Sequence, residues 1–110
     1  MSASRHPELA AGRWLTLTLP EQLANIGSEV DRTLRAHADG RVDRREHALV
    51  RALELFDLTA ADDRWRGPRR RELLRTREYF CGVILDTNDD PGAADFLRKY
   101  FLQFAVLARR

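Results

Sequence analysis

Four stretches of the sequence carry apolar residues at helical spacing, and this pattern constrains the fold more than any other feature. The first stretch has apolar residues three or four positions apart: Leu19, Leu23, Ile26, Val30 and Leu34. Residues at this spacing lie on one face of an α-helix. Thr18 and Glu21 have the form of a capping box, and Gly40 provides a stop signal. We therefore predict a first helix that ends at about Ala38.

The second helix is predicted to start at a similar cap, formed by Asp43 with Glu46 three residues later. From residue 48 to residue 58 only Arg51, Glu54 and Asp57 interrupt the apolar residues. A spacing of three leaves one narrow polar strip on a helix. The pattern therefore predicts that the second helix is the most buried of the bundle.

Pro68 is placed to open a third helix, which we predict to continue to about Thr87. Its apolar stripe comprises Leu73, Leu74, Phe80, Cys81 and Ile84. Residues 88–92 predict a turn. A fourth helix, from about Ala93 to the end, presents one broad apolar face: Phe96, Leu97, Tyr100, Phe101, Phe104, Leu107 and Ala108. Four helices of similar length with short loops predict an all-α, antiparallel four-helix bundle.

The start of the chain lacks this helical pattern. We predict a disordered or loosely ordered tail over residues 1–13 and the bundle over residues 14–110. Leu15 and Leu17 alternate with Thr16 and Thr18, as in a strand. A solitary segment of this length does not form a sheet. We expect a short extended N-terminal segment that packs Trp14 on the bundle, and a strand offered to a partner's sheet is the alternative.

Composition excludes several classes of protein. No apolar run approaches the length of a membrane span, and the first residues lack the apolar centre of a signal peptide. The single cysteine, Cys81, lies on an apolar stripe, so a core position is expected rather than a disulfide or a nucleophile. We predict a cytoplasmic location.

No catalytic site, cofactor site or metal site is predicted. The three histidines, His6, His37 and His47, have no set of potential ligands at metal-binding spacing around them. One enzymatic alternative stays open. The spacings of Arg32 from His37 and of Arg41 from His47 match those of the helical HEPN-type ribonucleases.

The most basic part of the chain runs from residue 64 to residue 77, where seven arginines face a single acid, Glu72. Six of these arginines and one tryptophan are the predicted RNA-binding residues: Arg64, Trp65, Arg66, Arg69, Arg70, Arg71 and Arg75. The arginines suit phosphates, and the indole offers a surface on which a base can stack. Cations at a helix N-terminus oppose the helix dipole, which favours a functional role. A solvated loop or an acidic protein partner would explain the same residues, since the net charge is only +2.

Arg77 stands apart from the other arginines because helical spacing puts it in the middle of the apolar stripe of the third helix. A guanidinium keeps its proton, so a position near the core requires a carboxylate partner. The candidates are Glu54, Asp57 and Glu29. We predict an ion pair inside or at the edge of the bundle that fixes helix register.

Four segments carry a resemblance to a known group: residues 25–30 (NIGSEV), 51–59 (RALELFDLT), 71–78 (RELLRTRE) and 99–110. The chain resembles, from Trp14 to Arg110, small bacterial helical-bundle proteins without assigned activity. Some of that group resemble the accessory proteins, of the accessory variability determinant type, of diversity-generating retroelements. The resemblance implies homo-oligomeric barrels of four-helix bundles that bind a reverse transcriptase and its template RNA.

These observations give one leading interpretation and two alternatives. The leading one is a non-enzymatic oligomeric accessory protein that docks RNA or a reverse transcriptase through the arginine segment. A HEPN-like ribonuclease and an antitoxin-like or structural protein-binding module are the alternatives. The apolar faces of the second and fourth helices exceed what one bundle readily hides, so we expect a homo-oligomer. The resemblance suggests a ring, for example one of five copies.

Overall fold

The protein is an all-α four-helix bundle, as predicted. The computed structural model describes residues 12–86 and 90–110. Its helices are α1 (Leu19–Ala38), α2 (Val42–Ala60), α3 (Pro68–Leu85) and α4 (Pro91–Ala108). No strand occurs within these two described ranges. Most of the predicted tail, with His6, and part of the predicted turn before α4 lie outside the described residues.

The central helix is α1, so the prediction that the second helix is the most buried was wrong. Helix α1 packs against both α2 and α4, whereas α2 exposes Val42 and Val50. Helix α1 approaches α4 closely at Gly27, where an added Cβ atom would lie 2.6 Å from the Cβ atom of Phe101. Helix α1 therefore lies at the centre of the bundle.

The connection from α1 to α2 is only three residues long and ends α1 in a Schellman motif. Gly40 has a φ of 69° and donates its N–H to the carbonyl of His37, while Arg41 donates to the carbonyl of Ala36. Because the chain turns so tightly, α2 begins at Val42 and its N-cap is Arg41, without a side-chain cap. The predicted cap at Asp43 was therefore wrong, whereas the capping box of Thr18 and Glu21 forms with both of its hydrogen bonds.

The N-terminal segment is more compact than the predicted extended lead-in. Arg13–Thr16 form a 3-10 turn, and only Leu17 and Thr18 are extended. The turn buries Trp14 completely, and its indole N–H donates to the hydroxyl of Thr59 at 2.9 Å. A buried indole requires such a partner, so the lead-in is fixed to the end of α2.

The helices are anchored by a shared core and by local caps. Phe56 of α2 contacts the rings of Phe80 and Phe101. Helix α3 begins at Pro68, and Asp90 caps α4 by accepting a hydrogen bond from the N–H of Gly92. None of the helices in the described parts of the chain has the length and apolar character required to cross a membrane.

Candidate nucleic-acid interface

The arginine segment starts in the loop between α2 and α3, which is held by a buried carboxylate. Asp62 is 4% exposed and caps a 3-10 turn over Asp63–Trp65 by accepting the N–H of Arg64 at 3.1 Å. The same carboxylate accepts hydrogen bonds from Arg64 Nη2 at 2.7 Å and from Gln22 Nε2 at 3.2 Å. The loop is therefore a built structure and not a solvated linker.

Arg64 is part of this structure. Besides binding Asp62, its Nη2 donates to the backbone carbonyl of Leu17 at 2.8 Å, so one guanidinium ties the loop to the N-terminal segment. The side-chain hydrogen bond from Arg64 is the main cause that lowers the pKa of Asp62 from 3.8 to about 2, although burial opposes that shift. Of the predicted RNA-binding arginines, this one is the most engaged within the protein.

Trp65 is half-buried, and its polar edge is already bound. Its indole N–H donates to Gln22 Oε1 at 2.7 Å. The guanidinium carbons of Arg64 and Arg69 lie 4.5 Å and 5.7 Å from the ring centroid, within the range of cation–π contacts. Both the polar edge and the ring of Trp65 therefore already have partners within the protein, so Trp65 fits a structural role better than the sequence indicated.

The other predicted arginines divide into a bound one and an exposed set. Arg70 is half-buried, and its Nη2 lies 3.4 Å from the carbonyl oxygen of Asp62. The arginines with exposed side chains are Arg66, Arg69, Arg71 and Arg75. Of these, Arg66 forms a solvent-exposed pair with Asp63 at 3.0 Å. We call these four residues the exposed arginine set.

The exposed set extends from the loop into the first turns of α3, and one of its members, Arg66, is paired with Asp63. The first turn of α3 contains no acidic residue, and Gly67 at the N-cap provides no side-chain cap. Arg71 and Arg75 are one helical turn apart and so share a face. The single acid of the segment, Glu72, accepts the hydroxyl of Tyr100 at 2.6 Å. Burial and this hydrogen bond raise the pKa of Tyr100 to about 12.

Arg77 lies at the edge of the bundle between α2 and α3. Its Nε donates to Asp57 Oδ1 at 3.0 Å, with the two side chains 31% and 63% exposed. Glu29 is not its partner, because both Glu29 oxygens are bound by Arg32 and Arg51. Glu54 is half-buried on the same helix as Asp57. The stripe position therefore places Arg77 beside the core rather than within it.

The residues of the ribonuclease alternative lie at the other end of the molecule. Arg32, Arg41 and His47 line one cleft between α1 and α2, and His37 is not part of its lining. Within the described residues, no group of three or more histidine, cysteine, aspartate or glutamate side chains could hold a metal ion. An enzymatic role for this cleft stays a prediction.

Sequence reasoning missed the polar side chains that position the segment: Gln22, Thr59 and Asp62. Gln22 is fully buried and bridges Asp62, Trp65 and the backbone carbonyl of Trp14. One signal was available for it, because Gln22 is three positions after Leu19 and four before Ile26. A polar residue on that stripe indicates a buried hydrogen-bond network.

Comparison of the chain with family models, with curated proteins and with solved structures found no match. The resemblance to accessory proteins of diversity-generating retroelements therefore stays a prediction.

Proposed function

We propose that the protein is a non-enzymatic bundle that docks single-stranded RNA through the exposed arginine set. The observation that supports this most is the start of α3, which carries three successive arginines, Arg69, Arg70 and Arg71, and no acid in its first turn. The helix dipole is already positive at this end, so these cations oppose local stability. An anionic ligand relieves that repulsion.

The fixed geometry of the loop adds to the proposal. The network of Asp62, Arg64 and Gln22 holds the loop at the N-terminus of α3. Side chains on a rigid support lose less freedom on binding than those on a mobile loop. Guanidinium groups also match the oxygen geometry of phosphates. Sequence-independent contacts to the RNA backbone therefore suit this surface better than recognition of a base by Trp65.

Two partners complete the proposal. One is a second copy of the chain, because α4 exposes Leu102, Val106 and Leu107 on its outer side. The other is a reverse transcriptase of a diversity-generating retroelement, which the resemblance implies. Size-exclusion chromatography of the protein mixed with such an enzyme tests the second partner. Co-elution that persists after substitution of the exposed arginine set would contradict docking through these residues.

The RNA proposal is tested by fluorescence anisotropy with a labelled single-stranded RNA of about 20 nucleotides. The variant is Arg71→Gln with Arg75→Gln, and the matched control is Arg109→Gln with Arg110→Gln at the exposed C-terminus. Each pair lowers the formal net charge from +2 to 0. We expect the first pair to weaken binding roughly tenfold at about 0.1 M salt and the control to leave it unchanged. Equal effects of the two pairs would contradict the proposal.

A further inference from the structure

A second cationic feature lies away from the arginine segment, in a cleft between the end of α1 and the start of α2. Its volume is about 530 Å³, which is within the range of small-molecule sites. Five arginines, one histidine and one carboxylate line it with two alanines: Arg32, Arg35, Arg41, Arg44, Arg51, His47, Asp39, Ala36 and Ala48.

The cleft follows from the pattern of the two helices. Its α1 residues and its α2 residues each recur three or four positions apart, so two helical faces meet across it. Each face carries one alanine, and because Ala36 and Ala48 are buried, they form the floor of the cleft. Small side chains leave the space open, and the arginines around them form cationic walls.

Carboxylates outside the lining hold three of the arginines in place. Glu29 is buried, with Oε1 3.0 Å from Arg32 Nη1 and Oε2 3.3 Å from Arg51 Nε. Asp31 Oδ2 lies 2.9 Å from Arg35 Nε. A guanidinium has five N–H donors, so each of these arginines keeps donors for a ligand. The ion pairs restrict the side chains without occupying them fully.

The two remaining arginines lack such an ion pair. Neither Arg41 nor Arg44 pairs with a carboxylate of a described residue. The N-terminus of α2 has no side-chain cap, whereas the carbonyls of Arg35, Ala36 and His37 at the end of α1 already accept hydrogen bonds. The first turn of α2 contains the acid Asp43, and its N–H groups lack partners within the helix. Arg41 and Arg44, which line the cleft beside this helix end, are therefore the main groups available to bind an anion there.

We propose that this cleft binds a phosphomonoester group, carried by a nucleotide or by the 5′ end of an RNA strand. A phosphomonoester has a charge near −2 and three terminal oxygens, so it can accept from several guanidinium groups at once. A carboxylate has fewer oxygens and half the charge. The site is independent of the exposed arginine set, and its ligand is held by Arg41 and Arg44 together with the α2 N-terminus.

The test is a calorimetric titration of the full chain with AMP and with two oligoribonucleotides of one sequence, bearing a 5′-phosphate or a 5′-hydroxyl. Sodium acetate at equal ionic strength controls for screening. The variant is Arg41→Gln with Arg44→Gln, and Arg71→Gln with Arg75→Gln is the matched control. Both pairs remove two exposed charges, and circular dichroism checks that the helices are retained.

We expect a 5′-phosphate effect, seen as saturable AMP binding with one ligand per chain or as tighter binding of the 5′-phosphate strand than of the 5′-hydroxyl strand. Arg41→Gln with Arg44→Gln should weaken this effect at least about tenfold. The control pair should lower the affinity for both strands equally and leave the 5′-phosphate effect unchanged. Binding of AMP indicates that a free nucleotide suffices, and binding of the 5′-phosphorylated strand alone indicates a strand end. Three results would overturn the proposal. The first is no saturable binding of AMP or of the 5′-phosphorylated strand, and the second is equal binding of the 5′-phosphate and 5′-hydroxyl strands without AMP binding. The third is binding that Arg41→Gln with Arg44→Gln leaves unchanged. Loss of RNA docking only in the control pair concerns the proposed function and leaves this site unaffected.

Discussion

At the scale of single residues, Asp62 determines how the arginine segment is presented. Its carboxylate is buried and accepts Arg64 and Gln22 together. The pKa of Asp62 is about 2 in the folded protein against an ordinary 3.8, first because of the Arg64 hydrogen bond. A depressed pKa contributes stability above about pH 4, and that stability is lost as the pH falls towards about 2.

This predicts the pH dependence of an Asp62→Asn variant. Near neutral pH the variant should be less stable than the wild type by on the order of 2 kcal/mol. The difference in the free energy of unfolding between the two proteins should narrow as the pH falls from about 4 to about 2, because the wild-type carboxylate becomes protonated. Urea unfolding at several pH values measures it. Asp63→Asn, which removes a solvent-exposed partner of Arg66, is the control and should show no such convergence. A gap that stays constant down to pH 2 would exclude the role given to Asp62.

The Arg77 pair should contribute less than a buried ion pair. Removing one partner of a buried pair costs about 3–5 kcal/mol, but Asp57 is 63% exposed and Arg77 31%, so water replaces much of the lost interaction. We expect Arg77→Ala to cost about 1 kcal/mol and the double-mutant cycle with Asp57→Ala to give a coupling below about 1 kcal/mol. Denaturant unfolding of the four proteins measures both. A coupling of several kcal/mol would show that the pair is buried more deeply than its exposure indicates.

At the scale of helices, the contact between α1 and α4 depends on Gly27. Alanine normally stabilises a helix interior by about 1 kcal/mol relative to glycine. At this site the new Cβ atom would lie 2.6 Å from Phe101 Cβ, so α1 and α4 must separate. We expect Gly27→Ala to destabilise the bundle by about 1–3 kcal/mol.

The matched control is Gly82→Ala in α3, where no neighbouring atom lies within 4 Å of the added Cβ. This change should be neutral or stabilising by up to about 1 kcal/mol. Thermal or urea unfolding compares the two variants. If both stabilise the protein equally, the close approach of α1 and α4 is wrong.

The helices were predictable from sequence because their signals are local. The capping box at Thr18 and the proline at residue 68 each act within one turn of chain. The start of α2 was not predictable from its own residues, because the Schellman bond from Arg41 to Ala36 depends on how tightly the chain turns. The arginine segment was visible, but the distant partners that bind Arg64 and Trp65, such as Leu17 O and Gln22, appear only in the fold.

At the scale of the whole molecule, the outer side of α4 predicts self-association. Leu102 is 57% exposed and lies beside Val106 and Leu107, around a shallow groove that Lys99 and Arg110 also line. Such apolar groups favour burial against another surface. We expect Leu102→Asp to lower the mass measured by light scattering at micromolar concentration. Leu85→Asp, at a leucine that is 75% exposed on α3, is the control. A wild-type monomer under these conditions would contradict the prediction.

The salt dependence of binding measures whether the exposed arginine set contacts the phosphates of RNA. Each phosphate contact to a single strand contributes about 0.7 to the slope of log affinity against log salt concentration. Arg71→Gln with Arg75→Gln should therefore reduce the magnitude of the slope by about 1.4, two contacts in all, whereas Arg109→Gln with Arg110→Gln should leave it unchanged. An unchanged slope in the first pair, or an equal reduction in the second, would show that these arginines do not carry the contact.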